Sequence, residues 1–254
     1  MRHATFRFYA ELSDLLPATR RGVAFDHAFE GTPAVKDVIE ALGVPHTEVD
    51  LILADGQSVD FAWRLRDGAR VSVYPVFESL DVGGLTRVLA APLRTPRFVL
   101  DVHLGRLARH LRMLGFDARW SADADDATLA AASSAEHRIL LTRDRGLLKR
   151  RAVTHGYCVR ASDPRRQLDE VLRRLDLLRA IAPFTRCLRC NGALLPVEKA
   201  LVADRLPPRV RERQATFRRC DGCGRVYWPG THHARMERLI AGLTEGAHDP
   251  YGGP

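Results

Sequence analysis

The sequence predicts an α/β protein centred on a parallel sheet. Three observations carry this. Within residues 97–144, a short extended segment leading to acidic residues and then to a helix-forming stretch recurs; that is the rhythm of βαβ units. The 80 or so residues before it alternate strand and helix signals as ββαββ. The residues after it carry two C-x-x-C pairs, a metal-binding pattern. The expected division is a small α/β module over 1–80, a linker over 81–96, the parallel-sheet domain over 97–180, a cysteine-bearing ribbon over 181–240 and a disordered tail over 241–254.

Composition bounds the function classes. The chain has 254 residues, 46% hydrophobic and 28% charged, which is ordinary for a globular protein. No run of 18 apolar residues occurs, so no membrane span is expected. The N-terminus has no apolar core or cleavage site of a signal peptide, and the expected location is cytoplasmic. Four of the five cysteines fall in C-x-x-C pairs, which argues against a disulfide framework. The net charge of +8 is uneven: residues 1–80 carry 8 basic and 12 acidic side chains, residues 145–240 carry 22 and 9. Such asymmetry points to a polyanionic partner for the C-terminal half. Arg outnumbers Lys 36 to 3. That bias explains the choice of cation, not its regional excess.

Residues 4–12 read as a strand, with Phe6 and Phe8 on one face, and 21–29 as its hairpin partner. Pro33 opens a helix with Val35, Val38, Ile39 and Leu42 on one face, closed by Gly43 and Pro45. Val49–Leu53 is a strand, Asp55-Gly56 and Asp67-Gly68 are turns, and Arg70–Val76 is the last strand. This order resembles the ubiquitin-like β-grasp fold, most closely its sulfur-carrier type. Phe6–Leu12 and Asp67–Pro75 carry the likeness. Sulfur carriers act through a C-terminal Gly-Gly, whereas Gly83-Gly84 here is followed by 170 residues. The pair reads as linker, and the module as a docking element for a protein partner.

In the second segment, Phe98-Val99-Leu100 ends on Asp101. Leu104, Leu107, Ala108, Leu111 and Leu114 follow at helical spacing. Residues 116–120 are extended and lead to Asp123, Asp125 and Asp126. Residues 138–142 are extended again and lead to Arg143-Asp144. Ligands of parallel sheets bind beyond the carboxyl ends of the strands, so these acids are expected to converge at one edge. Oxygen donors of this kind suit Mg²⁺ or Mn²⁺, which can activate water and stabilise a leaving oxygen. The alternative for Asp126 is a helix cap or first-turn acid. Gly156–Arg160 is the next strand, and its Cys158 reads as a small buried residue. Ser162-Asp163-Pro164 starts a helix running to about Leu178. Its arginines form either a solvated face or an RNA track.

Cys187, Cys190, Cys220 and Cys223 supply the four thiolates of a closed structural zinc site. Its spacer of 29 residues exceeds the common ribbon spacing. Arginines interleave with Tyr227 and Trp228 around the second pair. Charge for phosphate and rings for bases are what a single-stranded nucleic-acid surface needs. The two aromatics could equally pack a small ribbon core.

The run from Asp101 to Asp117, Asp125-Asp126, Leu141–Asp144, Phe184–Cys190 and Cys220–His232 together resemble the Mut-seven C-terminal RNase domain, a PIN-like nuclease family with an appended zinc ribbon. Bacterial members often carry an N-terminal ubiquitin-like domain. The resemblance implies a metal-dependent and endonucleolytic ribonuclease, with Mg²⁺ or Mn²⁺ held by acids matching Asp101, Asp126 and Asp144. A fourth acid would be Asp163 or Asp125, and Arg145 stands where many PIN-like relatives place one. The expected RNA contacts are Arg106, Arg109, Arg143, Arg218, Arg219, Tyr227, Trp228 and His232. Arg112 is expected to share the exposed side of the helix with Arg106 and Arg109. The competing reading is a non-catalytic RNA-binding or ribosome-associated adaptor.

Overall fold

The structure, a computed structural model, describes residues 1–75, 88, 96–230, 236–238 and 241–242. Gly83-Gly84, most of the 81–96 linker, His232 and residues 243–254 lie outside the described residues. In chain order the first elements are β1 (Arg2–Phe8), β2 (Phe25–Phe29), α1 (Val35–Ala41), β3 (Leu51–Ala54), β4 (Gln57–Val59) and β5 (Arg70–Tyr74). Next come β6 (Arg97–Leu100), α2 (Gly105–Met113), β7 (Asp117–Trp120), α3 (Asp126–Ala135), β8 (Ile139–Thr142), α4 (Arg145–Leu148) and β9 (Gly156–Cys158). The last are α5 (Pro164–Arg174), β10 (Leu194–Val197), α6 (Pro208–Arg213), β11 (Phe217–Cys220) and β12 (Val226–Tyr227). The chain forms two compact units, one of residues 1–103 with 121–160, the other of 104–120 with 161–254.

The first unit opens with a five-stranded sheet in the order β2-β1-β5-β3-β4, with β1 and β5 parallel at its centre. Alternation puts Ala4, Phe6, Phe8, Val71 and Val73 on the inner face against Val35, Val38 and Ile39 of α1. This is the β-grasp arrangement the sequence predicts. Its first strand is shorter than expected from residues 4–12. β1 stops at Phe8, because Ala10 turns left-handed (φ 48°) and starts a 3₁₀ turn that buries Leu12 and Leu15. The strand expected at 49–53 begins at Leu51, behind a 3₁₀ turn at His46–Glu48.

In the same unit β8 lies between β6 and β9 and pairs with both in parallel. The buried residues of these strands, with those of α3 and α4, are continuous with the β-grasp core: Val99, Leu129, Leu140, Leu147, Leu148, Val153 and Cys158 share one cluster with Phe6, Ile39 and Val73. Polar contacts reinforce the joint. Glu48, with its side chain fully buried, accepts from the Cys158 amide (2.5 Å) and from Arg160 (2.8 Å).

The second unit contains α2, β7, α5 and the ribbon. Leu107, Ala108 and Leu111 of α2 are buried, as are Leu168, Val171 and Leu172 of α5. Asp163 caps α5 by accepting from the amides of Arg165 and Arg166. That helix ends at Arg174, not near Leu178, because Asp176 adopts a left-handed conformation (φ 46°). The ribbon is an antiparallel sheet in the order β10-β11-β12.

Candidate active site and metal centre

The register of β6 and β8 sets Leu100 beside Leu141, so Asp101, just past β6, and Thr142, the last residue of β8, come together at the C-terminal edge of the sheet. Asp101 is buried, and Thr142 is fully so. The Thr142 hydroxyl donates to Asp101 Oδ2 (2.7 Å) and accepts from the Asp144 amide (2.9 Å). Asp101 Oδ1 accepts from the His103 amide (3.2 Å). One hydroxyl thus ties the strand-ending acid to the loop that carries the other. Asp144 is exposed and caps α4, its Oδ1 accepting from Gly146 N at 2.7 Å.

The acidic cluster sorts itself by hydrogen bonding. Asp125 caps α3 by accepting from Thr128 N (2.8 Å), and hydrogen bonds from the Thr128 hydroxyl and then its amide hold the Asp125 carboxyl below the usual carboxylate range. Asp126 occupies the first turn, half-exposed, and pairs with Arg150 at 3.3 Å. Both candidates for a fourth acid, Asp125 and Asp163, therefore serve as helix caps. Among the described residues the four ribbon cysteines form the set of three or more ligand side chains within reach of one ion; Asp101, Asp126 and Asp144 do not close into a second such set.

The cysteine centre is built from two copies of one turn. Asn191 N donates to Cys187 O and Gly224 N to Cys220 O, both at 3.0 Å. Each donor lies four residues after the first cysteine of its pair and is left-handed, with φ 71° at Asn191 and 68° at Gly224. A side chain on Gly192 would meet Cys220 Sγ at 2.8 Å, which is why glycine stands there. All four Sγ atoms lie within 4.8 Å of one another, with Cys187–Cys223 at 3.7 Å and Cys190–Cys220 at 3.3 Å. Tetrahedral coordination at a Zn–S length of about 2.3 Å requires sulfurs roughly 3.8 Å apart, so the set can hold a structural metal such as zinc. Burial opposes ionisation of Cys187, but the Tyr227 hydroxyl and the Arg189 and Cys190 amides bring its thiol down to about 6. Burial pushes Cys190 up to about 12.

The basic and aromatic residues divide. Arg106, Arg109, Arg143, Arg218 and Arg219 are exposed. Arg112 is not: it is 4% exposed and donates to the carbonyls of Ala118, Leu188 and Arg189. Tyr227 packs on Cys187, Leu194 and Cys220, and its hydroxyl contacts Cys187 Sγ at 3.1 Å. Trp228 lies half-buried against Val202, Leu206 and Phe217. Trp228 and Tyr227 line a groove of about 1250 Å³ together with Arg186, Arg189, Arg205 and Arg218.

Residues 96–240, more than half of the sequence, match the family described as Mut7-C RNAse domain. The chain belongs to the Mut7-C RNAse domain family. Residues 1–81 match the family described as Mut7-C ubiquitin, in agreement with the β-grasp sheet. Neither a curated protein nor a solved structure matches the chain. Membership gives the Mut7-C chain a nuclease-type domain, with RNA as the substrate class its description names. No helix among the described residues is long and apolar enough to cross a membrane. Thr142 and Arg150 contact the candidate acids and were not singled out from the sequence. The hydroxyl one position before Arg143-Asp144 is a signal only once the strand register is known.

Proposed function

We propose that the chain is a metal-dependent endoribonuclease that cuts at the edge carrying Asp101, Asp126 and Asp144 and holds RNA along its arginine-rich ribbon. The observation that carries the reading is the Asp101–Thr142–Asp144 linkage at the C-terminal ends of two parallel strands. Carboxylate oxygens fit Mg²⁺ or Mn²⁺. A cation bound there would supply water activation and charge stabilisation at phosphorus. The protein's own part is positional. Thr142 and the His103 amide aim the Asp101 carboxylate, the α4 cap fixes Asp144, and Asp126, now paired with Arg150, would be the third acid to hold the cation. Zinc at Cys187, Cys190, Cys220 and Cys223 would stabilise the ribbon, since four thiolates leave no open position. Arg218, Arg219 and the arginines of the groove would neutralise phosphates, with Trp228 as the stacking ring. Arg106, Arg109 and Arg143 are exposed for the same use, and the β-grasp module would meet a protein partner.

A specific observation favours a second reading. The Asp126–Arg150 ion pair and the capping role of Asp144 are also what structural acids do, as in an RNA-binding adaptor. Incubation of the purified protein with mixed single-stranded and structured RNA decides. Cleavage that requires Mn²⁺ and stops with EDTA supports the nuclease; binding without cleavage under both conditions supports the adaptor.

A further inference from the structure

Among the described residues of the second unit, Arg112 is the buried cation. Its Nε donates to Ala118 O (2.8 Å), and its Nη1 donates to Leu188 O (3.2 Å) and Arg189 O (3.0 Å). Leu188 and Arg189 are the two residues between Cys187 and Cys190, so the guanidinium grips the first cysteine turn from behind. Every one of these acceptors is a carbonyl. Carbonyls are dipoles; they satisfy the N–H groups without cancelling the charge. A guanidinium does not shed its proton in a protein, and a buried charge needs an opposite one.

The candidates for that opposite charge are few. Asp117 acts on Arg112 electrostatically, but its carboxylate already accepts from Asn191 Nδ2 (2.6 Å) and faces Arg186 at 3.7 Å. The other negative centres acting on Arg112 are the Cys187 and Cys190 sulfurs, which flank the Leu188 and Arg189 carbonyls that its guanidinium holds. Zinc bound by four thiolates leaves a centre of net charge −2. Arg189, Arg205, Arg218 and Arg225 are exposed, where water and salt screen them. Arg186 is committed to Asp117.

We propose that Arg112 is the counter-cation of the four-cysteine metal centre, a positioning residue on α2 that offsets the charge of the zinc-loaded site and presets its first turn. The helix thereby becomes part of the metal site, although Cys187 follows Arg112 by 75 positions in the sequence. Asn191 completes the attachment by accepting from the Ala118 amide at 3.0 Å.

The test uses the full chain as wild type, Arg112→Met, Arg112→Lys and Arg112→Gln. Zinc affinity is read by competition with a metallochromic chelator, and Tm is read with zinc and after stripping. Loss of an outer-shell partner costs about 10–100-fold in metal affinity, and Arg112→Met should show that loss. It should lower Tm in the loaded protein far more than in the stripped one, because only the loaded site carries the charge that Arg112 offsets. A residue that merely staples backbone carbonyls would lower both equally, and that result would overturn the proposal. Should Arg112→Met fail to fold, the remaining pair decides. Arg112→Lys, which keeps the charge, must bind zinc more tightly than Arg112→Gln, which keeps a donor; equal affinities refute the counter-cation.

Discussion

Thr142 is a neutral side chain on which two acids depend. Its hydroxyl donates to Asp101 and accepts from the Asp144 amide. Thr142→Val keeps the shape and removes both bonds. The expected result is a rise of about 10–100-fold in the Mn²⁺ concentration needed for half-maximal cleavage, with RNA affinity unchanged; a metal titration at fixed RNA reads both. His110 makes a separate prediction. Burial lowers its pKa below 6.5, with Arg165 and Arg109 adding to the effect and Asp163 and the Pro164 backbone opposing it. Among the described residues its Nδ1 has no hydrogen-bond partner. The folded state therefore binds the proton less well than the unfolded one. Its contribution is fully present above pH 6.5 and is lost as pH falls through the depressed folded value. Urea denaturation between pH 7.5 and 5 should show that loss, and His110→Gln should flatten this part of the curve. The place of Asp101 at the sheet edge was legible in the sequence because it directly follows an apolar strand. Thr142 was not, since its role comes from cross-strand register. The choice between Asp125 and Asp126 as cap depended on one amide's direction, which composition does not encode.

At the scale of elements, α4 has four residues, too few to persist unaided. Leu147 and Leu148 bury it, Arg145 donates to Leu15 O (2.6 Å), and Lys149 donates to Glu40 O (2.5 Å). Both acceptors belong to the β-grasp part of the same unit. The element that Asp144 caps is therefore held by the N-terminal module. Glu48, fully buried, is one polar link in that joint. Glu48→Ala removes the buried carboxylate that pairs with Arg160 and accepts from the Cys158 amide, an expected loss of about 3 kcal/mol. Chemical denaturation measures it, and a loss below about 1 kcal/mol would show that the apolar core alone holds the joint. The amphipathic spacing of α1, α2 and α5 was readable directly. The inward turn of Arg112 was not, because a polar residue at a helix boundary is drawn inside only when a neighbour supplies carbonyls for it.

On the scale of the whole molecule, the compact units cut across the order of the chain. Residues 104–120 sit with the ribbon, and residues 121–160 sit with the β-grasp sheet. Periodicity reports local elements and is silent on such exchange, so a boundary near 180 followed naturally from the change in composition there. The charge asymmetry runs the same way. The acidic side chains proposed for chemistry lie in the first unit, and the densest run of arginines lies in the second.

The measurement that bears most directly on the nuclease reading is the cleavage rate of a single-stranded RNA at saturating Mn²⁺ for wild type and Asp101→Asn, with RNA binding measured on the same samples. Retained binding with cleavage reduced by at least about 100-fold in Asp101→Asn is the predicted result. Equal cleavage rates in the two proteins would contradict the account and remove Asp101 from the chemistry.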